Sequence, residues 1–253
     1  MAALDSPGHA RKPDRTAAPT TDGSVSSAAT SSFSTASLTT TKANDIIVFV
    51  VFNEGATQRT VSSITSSGCN LALYNKWSGV DPGRVGFVSL EIWWGFSAVI
   101  LTSHAFTITM SGAFDDGGYV GFGVNGVNNH SSPWDTNTSL AAKGTGGTQI
   151  FSTSQSHDLL ISAFASSTNN SPTIFATVPG TGTVAGWGGT PFGHTETASG
   201  TNWAFMNVYV ATTTVAGSGL SVGPPAQGTI PVLAQIVGAL TGRAKPHLGL
   251  ASV

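Results

Sequence analysis

The chain has 253 residues with a formal net charge of −2, and only 9% of its positions are charged, against roughly 25% in an average soluble domain. So weak a field excludes electrostatic capture of nucleic acid, anionic lipid or an acidic substrate, and the single cysteine, Cys69, excludes an intrachain disulfide. The length suffices for one large domain or for two of about 100 residues, each with its own core.

Residues 1–35 are rich in Ser, Thr, Ala and Pro and hold few large apolar side chains, a composition expected to form an extended N-terminal arm without a core. The arm carries Arg11, Lys12, Pro13 and Arg15 and no apolar segment of the kind a secretory signal needs, so the expectation is a chain folded in a cytoplasm. The longest apolar run, Ile46 to Phe52, is far too short for a helix that spans a bilayer, and no membrane partner is expected.

From residue 36 onward, short runs of Val, Ile, Phe, Trp, Tyr and Thr alternate with Gly, Asn, Asp and Pro, the pattern of an all-β sandwich or barrel. Strands are predicted at 36–41, 45–52, 60–65, 71–76, 87–97, 105–110 and 118–127, then at 150–154, 158–165, 173–178, 183–187, 203–211, 219–222 and 229–240. No segment keeps an apolar helical period with a capping signal, so no long helix is expected.

The two sets match. Thr40-Thr41-Lys42-Ala43-Asn44-Asp45-Ile46-Ile47-Val48 corresponds to Thr153-Ser154-Gln155-Ser156-His157-Asp158-Leu159-Leu160-Ile161, each a polar strand end, a turn and an Asp opening an apolar strand, at an offset of 113 residues. Tyr119 to Val124 aligns with Val232 to Val237 at the same offset, and Ile92-Trp93-Trp94 lies near Val208-Tyr209-Val210. An internal duplication is expected, giving two tandem antiparallel sandwiches of jelly-roll or immunoglobulin-like type at 36–142 and 143–242, with Lys143 to Gly147 as linker and 243–253 as a tail. One merged sandwich is the competing arrangement.

Motifs that carry chemistry are sparse. His9, His104, His130, His157, His194 and His247 show no zinc-type spacing, and no cofactor is expected. Asp115-Asp116-Gly117-Gly118 reads as a turn before a strand sooner than as a calcium loop. Glu91 beside Trp93 and Trp94 is the nearest approach to a sugar site; alternation puts Glu91 and Trp93 on one face as a rim or carbohydrate platform and Trp94 on the other, in the core. Cys69 reads as a buried, unreactive thiol. The triplets Asn129-His130-Ser131, Asn137-Thr138-Ser139 and Asn169-Asn170-Ser171 read as chance in a Ser/Thr-rich chain, and no Gly-x-Ser-x-Gly elbow supports a serine nucleophile. Trp187 and Phe192, in an insertion between 187 and 194, are candidate contacts in an aromatic loop.

Thr39 to Val48, Glu91 to Trp94, Phe106 to Gly112, Gly126-Val127 and Ser132-Pro133-Trp134-Asp135 together resemble the Ser/Thr/Gly-rich β-sandwich accessory proteins of tailed bacteriophages and prophage-bearing genomes. The resemblance covers about 36–140, with a fainter echo in 150–240, and its motifs are structural. It implies a non-enzymatic virion protein assembled in a host cytoplasm, a homo-oligomer decorating the capsid, whose partners are the major capsid protein or other virion proteins. Arg11, Lys12 and Arg15 are then candidate contacts to acidic capsid surface. The alternative it leaves is a tail-fibre or adhesin module binding host-surface glycans through Trp187 and Phe192.

Overall fold

The computed structural model describes residues 16–81, 86–145, 148–155, 157–168, 181–182, 191–199, 202–213, 217–223 and 234–244. Among them the chain is all-β, without a helix. The first half supplies β1 (Thr16–Ala17), β2 (Thr20–Ser31), β3 (Ala36–Leu38), β4 (Asp45–Gly55), β5 (Val61–Thr65), β6 (Ala72–Asp81), β7 (Gly86–Ser97), β8 (His104–Met110) and β9 (Phe114–Asn125). The second supplies β10 (Lys143–Gly144), β11 (Gln149–Phe151), β12 (Leu159–Thr168), β13 (Thr181–Gly182), β14 (Gly193–Ser199), β15 (Asn202–Thr212), β16 (Leu220–Gly223), β17 (Ala234–Leu240) and β18 (Arg243–Ala244).

A five-stranded sheet ordered β2-β9-β4-β7-β6 and a three-stranded sheet β3-β8-β5 form the first sandwich. The second contains β10-β17-β12-β15-β14 and β11-β16-β13, the same order strand for strand. All pairings are antiparallel. The register refines the sequence correspondence. Val48 faces Phe122 and Ile161 faces Gly238, so β9 matches β17 at an offset of 116, while β4 matches β12 at 113.

Beta-branched and aromatic residues make β4 a strong strand, and its full length is buried. That is the signature of a strand covered on both faces. On β4, β7 and β9 the even-numbered side chains, among them Val48, Val50, Leu90, Ile92 and Phe122, enter one core together with Ile161, Ala163, Met206, Val208 and Ile236 of the second half. The odd-numbered Ile47, Phe49, Val51, Trp93 and Tyr119 fill a separate core under the first three-stranded sheet. In the second half Leu160, Phe164, Tyr209, Val237 and Phe151 do the same under the other. The molecule is thus four layers, three-five-five-three, with the two large sheets back to back around a shared core. Two antiparallel sandwiches are present, as expected, and they share a core instead of merging into one.

Both flanks of the shared core are closed. On one, Tyr74 of β6 stacks on Trp134 with ring centroids 3.6 Å apart, Asn75 Nδ2 donates to the Ala141 carbonyl at 2.9 Å, and Lys143 Nζ donates to the Lys76 carbonyl at 3.0 Å. On the other, β14 lies against β9 so closely that a Cβ on Gly118 would stand 2.2 Å from Thr195 Oγ1.

Strands form in three segments expected outside the sandwiches. Residues 20–31, expected in the arm, form the outermost strand of the first sheet, paired along its length with β9. An edge strand needs main-chain hydrogen bonds more than apolar side chains, so its Ser/Ala composition concealed it. Lys143 and Gly144, expected in a linker, are a strand of the second sheet, paired with Ile236 and Gln235. The second sandwich already begins near Trp134, which bridges to Leu240. Arg243 and Ala244, expected in a tail, pair with Ala17 and Thr16. Beta14 was not foreseen, and the predicted strands at 173–178 and 183–187 lie outside the described residues.

Close stacking makes a specific demand on Gly118. Gly118→Val should lower stability by about 1–3 kcal/mol through overpacking, and Thr195→Gly in the same chain should restore part of the loss. Urea unfolding of the single and double variants measures both effects, and an unchanged midpoint for Gly118→Val would contradict the close approach.

Candidate functional site

Arg11, Lys12, Arg15 and Trp187 lie outside the described residues. Phe192 does not project as a recognition residue: it is half-buried against the shared core, its ring edge-on to Phe122 at 5.0 Å. Phe192 helps close the flank of the two-sheet stack.

Glu91 and Trp93 do share a face, as alternation requires, but that face is interior. Glu91 is 1% exposed and Trp93 8%. Glu91 Oε1 accepts from the Val61 N–H at 2.8 Å and Oε2 from the Trp93 indole N–H at 2.9 Å. Burial raises the Glu91 pKa, opposed by those two donors and by Lys76. Trp94, on the opposite face, packs half-buried on the shared core. No sugar platform exists here, because the three-stranded sheet covers the face that alternation alone left open.

Other titratable groups are also engaged in the fold. Asp115 to Gly118 are part of β9 and not a turn before it; Asp115 accepts from the Ala56 N–H at 3.0 Å, and the buried Asp116 lies opposite the buried Glu54. Cys69 is buried, and desolvation pushes its thiol up to about 11, the inert state expected of it. Ser66 Oγ is hydrogen-bonded to His104 Nε2. His194 sits between Asn207 Oδ1, 2.6 Å from Nδ1, and Glu196 Oε2, 3.3 Å from Nε2. No three of His, Cys, Asp and Glu come together as a metal site among the described residues.

The most distinctive polar arrangement was missed from sequence, and it occurs twice. Asp22, on β2, receives the Thr41 N–H at 2.9 Å, the Thr41 hydroxyl at 2.7 Å and the Lys42 N–H at 2.7 Å. Asp135 receives the Ser154 N–H at 2.7 Å, the Gln155 N–H at 3.1 Å and the Asn137 N–H at 2.7 Å. Each of these carboxylates caps the turn that precedes a central strand. In each turn the residue before the strand, Asn44 or His157, adopts a left-handed φ of 62° or 65°. Beside each cap lies a second, fully buried carboxyl, Asp45 or Asp158. Asp22 to Asp135, Thr41 to Ser154 and Asp45 to Asp158 are all separated by 113 residues.

The two members of a pair are driven apart. Burial acts to raise Asp22, but the Thr41 hydroxyl, the Thr41 and Lys42 N–H groups and Asp45 outweigh it and hold the carboxyl below its ordinary value. Asp135 is lowered in the same way, against its burial, by Asn137, Asp158 and Ser154. Burial first and the neighbouring Asp22 second push Asp45 up to about 6, although Asn125 and Lys42 oppose them. Burial and Asp135 push Asp158 up to about 9. Such a pair is a carboxylate and a carboxylic acid sharing one proton.

Gly23 shows how closely β2 is held at this point. Its φ is +67°, it occupies the bulge between Asp22 and Ser24, and a Cβ there would lie 1.9 Å from the Thr39 carbonyl oxygen. Comparison with protein-family models, with curated proteins and with solved structures finds no match to this chain.

Asp22→Asn and Asp135→Asn each remove a charged acceptor of several hydrogen bonds and should each cost about 1–3 kcal/mol, measured by denaturant unfolding at pH 7. Cys69 should react with a thiol reagent only at the rate of unfolding, which a stopped-flow comparison with and without denaturant checks.

Proposed function

We propose that the chain is a non-enzymatic structural protein of a bacteriophage particle, decorating the capsid, with the segment before residue 16 as its anchor. The observation that supports this reading best is where the fold places its chemistry. The carboxyl and aromatic side chains that might have formed a reactive or sugar-binding face are spent on internal contacts: Glu91 on Val61 and Trp93, Asp22 and Asp135 on turn amides, Phe192 on Phe122. A four-layer stack with an almost uncharged sequence is a rigid, inert body, which suits a surface component that must resist the environment more than transform it. The sequence resemblance to phage accessory β-sandwich proteins points the same way. The glycan-binding alternative loses Phe192 as a contact and rests on Trp187 alone.

Particles purified from a strain whose phage or prophage encodes this chain should contain it in stoichiometric amount on the head, seen by quantitative mass spectrometry and immunogold labelling. Deleting residues 1–15, and not the sheet strand that follows, should abolish co-sedimentation with heads while leaving the thermal midpoint unchanged. Absence of the chain from purified particles would overturn the reading, and saturable glycan binding lost in Trp187→Ala would replace it with the adhesin.

A further inference from the structure

We propose that Asp22–Asp45 and Asp135–Asp158 are two proton-held locks at the roots of the two sandwiches, and that rising pH releases the first lock well before the second. The inference does not depend on the proposed virion role.

Three features of the geometry support a bound proton. Asp45 Oδ2 and both carboxyl oxygens of Asp158 have no hydrogen-bond donor and are shut off from solvent. Each lies beside a carboxylate that turn amides hold in its ionised form, so the arrangement that satisfies both side chains is an acid O–H donating to the neighbouring carboxylate. The same arrangement occurs at both places, separated by 113 residues, with the same left-handed residue before the acid.

The copies differ in what is ready to replace the proton. Asn125 Nδ2 donates to Asp45 Oδ1 at 2.8 Å and also to the Ala43 carbonyl at 3.0 Å, and Lys42 lies on the adjoining turn. Among the described residues, the charged groups acting on Asp45 are Asp22 from β2 and Lys42 from the turn. In the second copy Thr241 stands where Asn125 does, and its hydroxyl donates to the Pro133 carbonyl at 3.2 Å instead. Only Asp135 acts on Asp158, with no cation among the described residues to offset it; His157 is its neighbour in the chain. An ionised Asp45 therefore keeps a donor and a nearby positive charge, whereas an ionised Asp158 keeps neither.

Once Asp45 ionises, two like charges face each other at the bulge where β2 joins the sheet. The adjacent Pro19 to Thr21 line a depression with Leu159 and Val210 to Thr212 of the second sandwich, so loosening this strand end opens the seam between the halves. The sign of the pH effect is fixed by linkage. Asp45 and Asp158 hold protons that the unfolded chain releases near pH 4, so stability falls as pH rises from there, up to about 6 for Asp45 and up to about 9 for Asp158. Asp22 and Asp135, held low, add stability above their unfolded values and lose it only in stronger acid.

The test is a titration of the full chain labelled with 13C at aspartate Cγ. The Asp45 and Asp158 resonances should shift with midpoints near 6 and near 9, the first a proton affinity about a hundredfold above that of an ordinary aspartate, while Asp22 and Asp135 titrate below the ordinary aspartate value. In Asp45→Asn the fall of the thermal midpoint between pH 4 and 6 should be reduced and the fall from 7 to 9 retained; Asp158→Asn should do the reverse above pH 6. If either variant fails to fold, the amide shifts of Lys42 and Gln155 in the unaltered chain assign the two titrations. Ordinary aspartate midpoints for both acids, or release of Asp158 before Asp45, would overturn the proposal.

Discussion

Two five-stranded sheets meet face to face, and the aliphatic side chains of β4, β7 and β9 interdigitate with those of β12, β15 and β17 in a core that belongs to neither sandwich alone. The central strands of neither large sheet then keep a solvent face, since their other side is already covered by a three-stranded sheet. Removing apolar area from water contributes roughly 25 cal/mol per Å², so a contact of this extent outweighs any single polar interaction in the molecule. The remaining features follow from it: small residues such as Gly118 and Gly193 where the layers approach and stacked aromatics at the flank.

Two of the buried polar groups, Asp22 and Asp135, serve the turns. A buried carboxylate is tolerated only where donors replace water, and the amides of Thr41 and Lys42, like those of Ser154 and Gln155, do so. Around this shared device the interiors have diverged. Facing the three-stranded sheet, the first sandwich carries Phe49, Glu91 and Trp93 where the second carries Ser162, Asn207 and Tyr209, side chains that occupy matching register positions. The turn chemistry is thus more alike between the halves than the packing it supports, because a turn that needs a left-handed residue and an acceptor of two amides admits few solutions. A core admits many combinations of suitable volume.

Among the described residues, the groups that the sequence offered for a sugar or recognition site, Glu91, Trp93 and Phe192, are turned inward. Among the described residues the exposed large apolar side chains are few, the adjacent Val99 and Ile100 together with Leu73, Val80 and Ile150, and a few exposed apolar residues are ordinary on any surface.

Most strand positions between 36 and 127, the all-β class and the turn at Lys42 to Asp45 with its second copy at Gln155 to Asp158 were legible in the sequence, because alternation and turn chemistry are local properties. The carboxyl pairs were within reach too, since Asp22 and Asp135 repeat at the offset already visible between Asp45 and Asp158. They went unseen because Asp22 lay in a stretch whose composition resembles a disordered arm. What only the tertiary structure decided is what covers each face. A strand's period of two separates Glu91 and Trp93 from Trp94, but it does not say whether either side meets water. The unbroken apolar run of β4 is compatible with several surroundings, and an edge strand held by main-chain hydrogen bonds leaves almost no mark in its side chains. Layering, edge pairing and the proximity of Asp22 to Asp45 are all contacts between segments distant in the chain, and local chemistry carries no record of them.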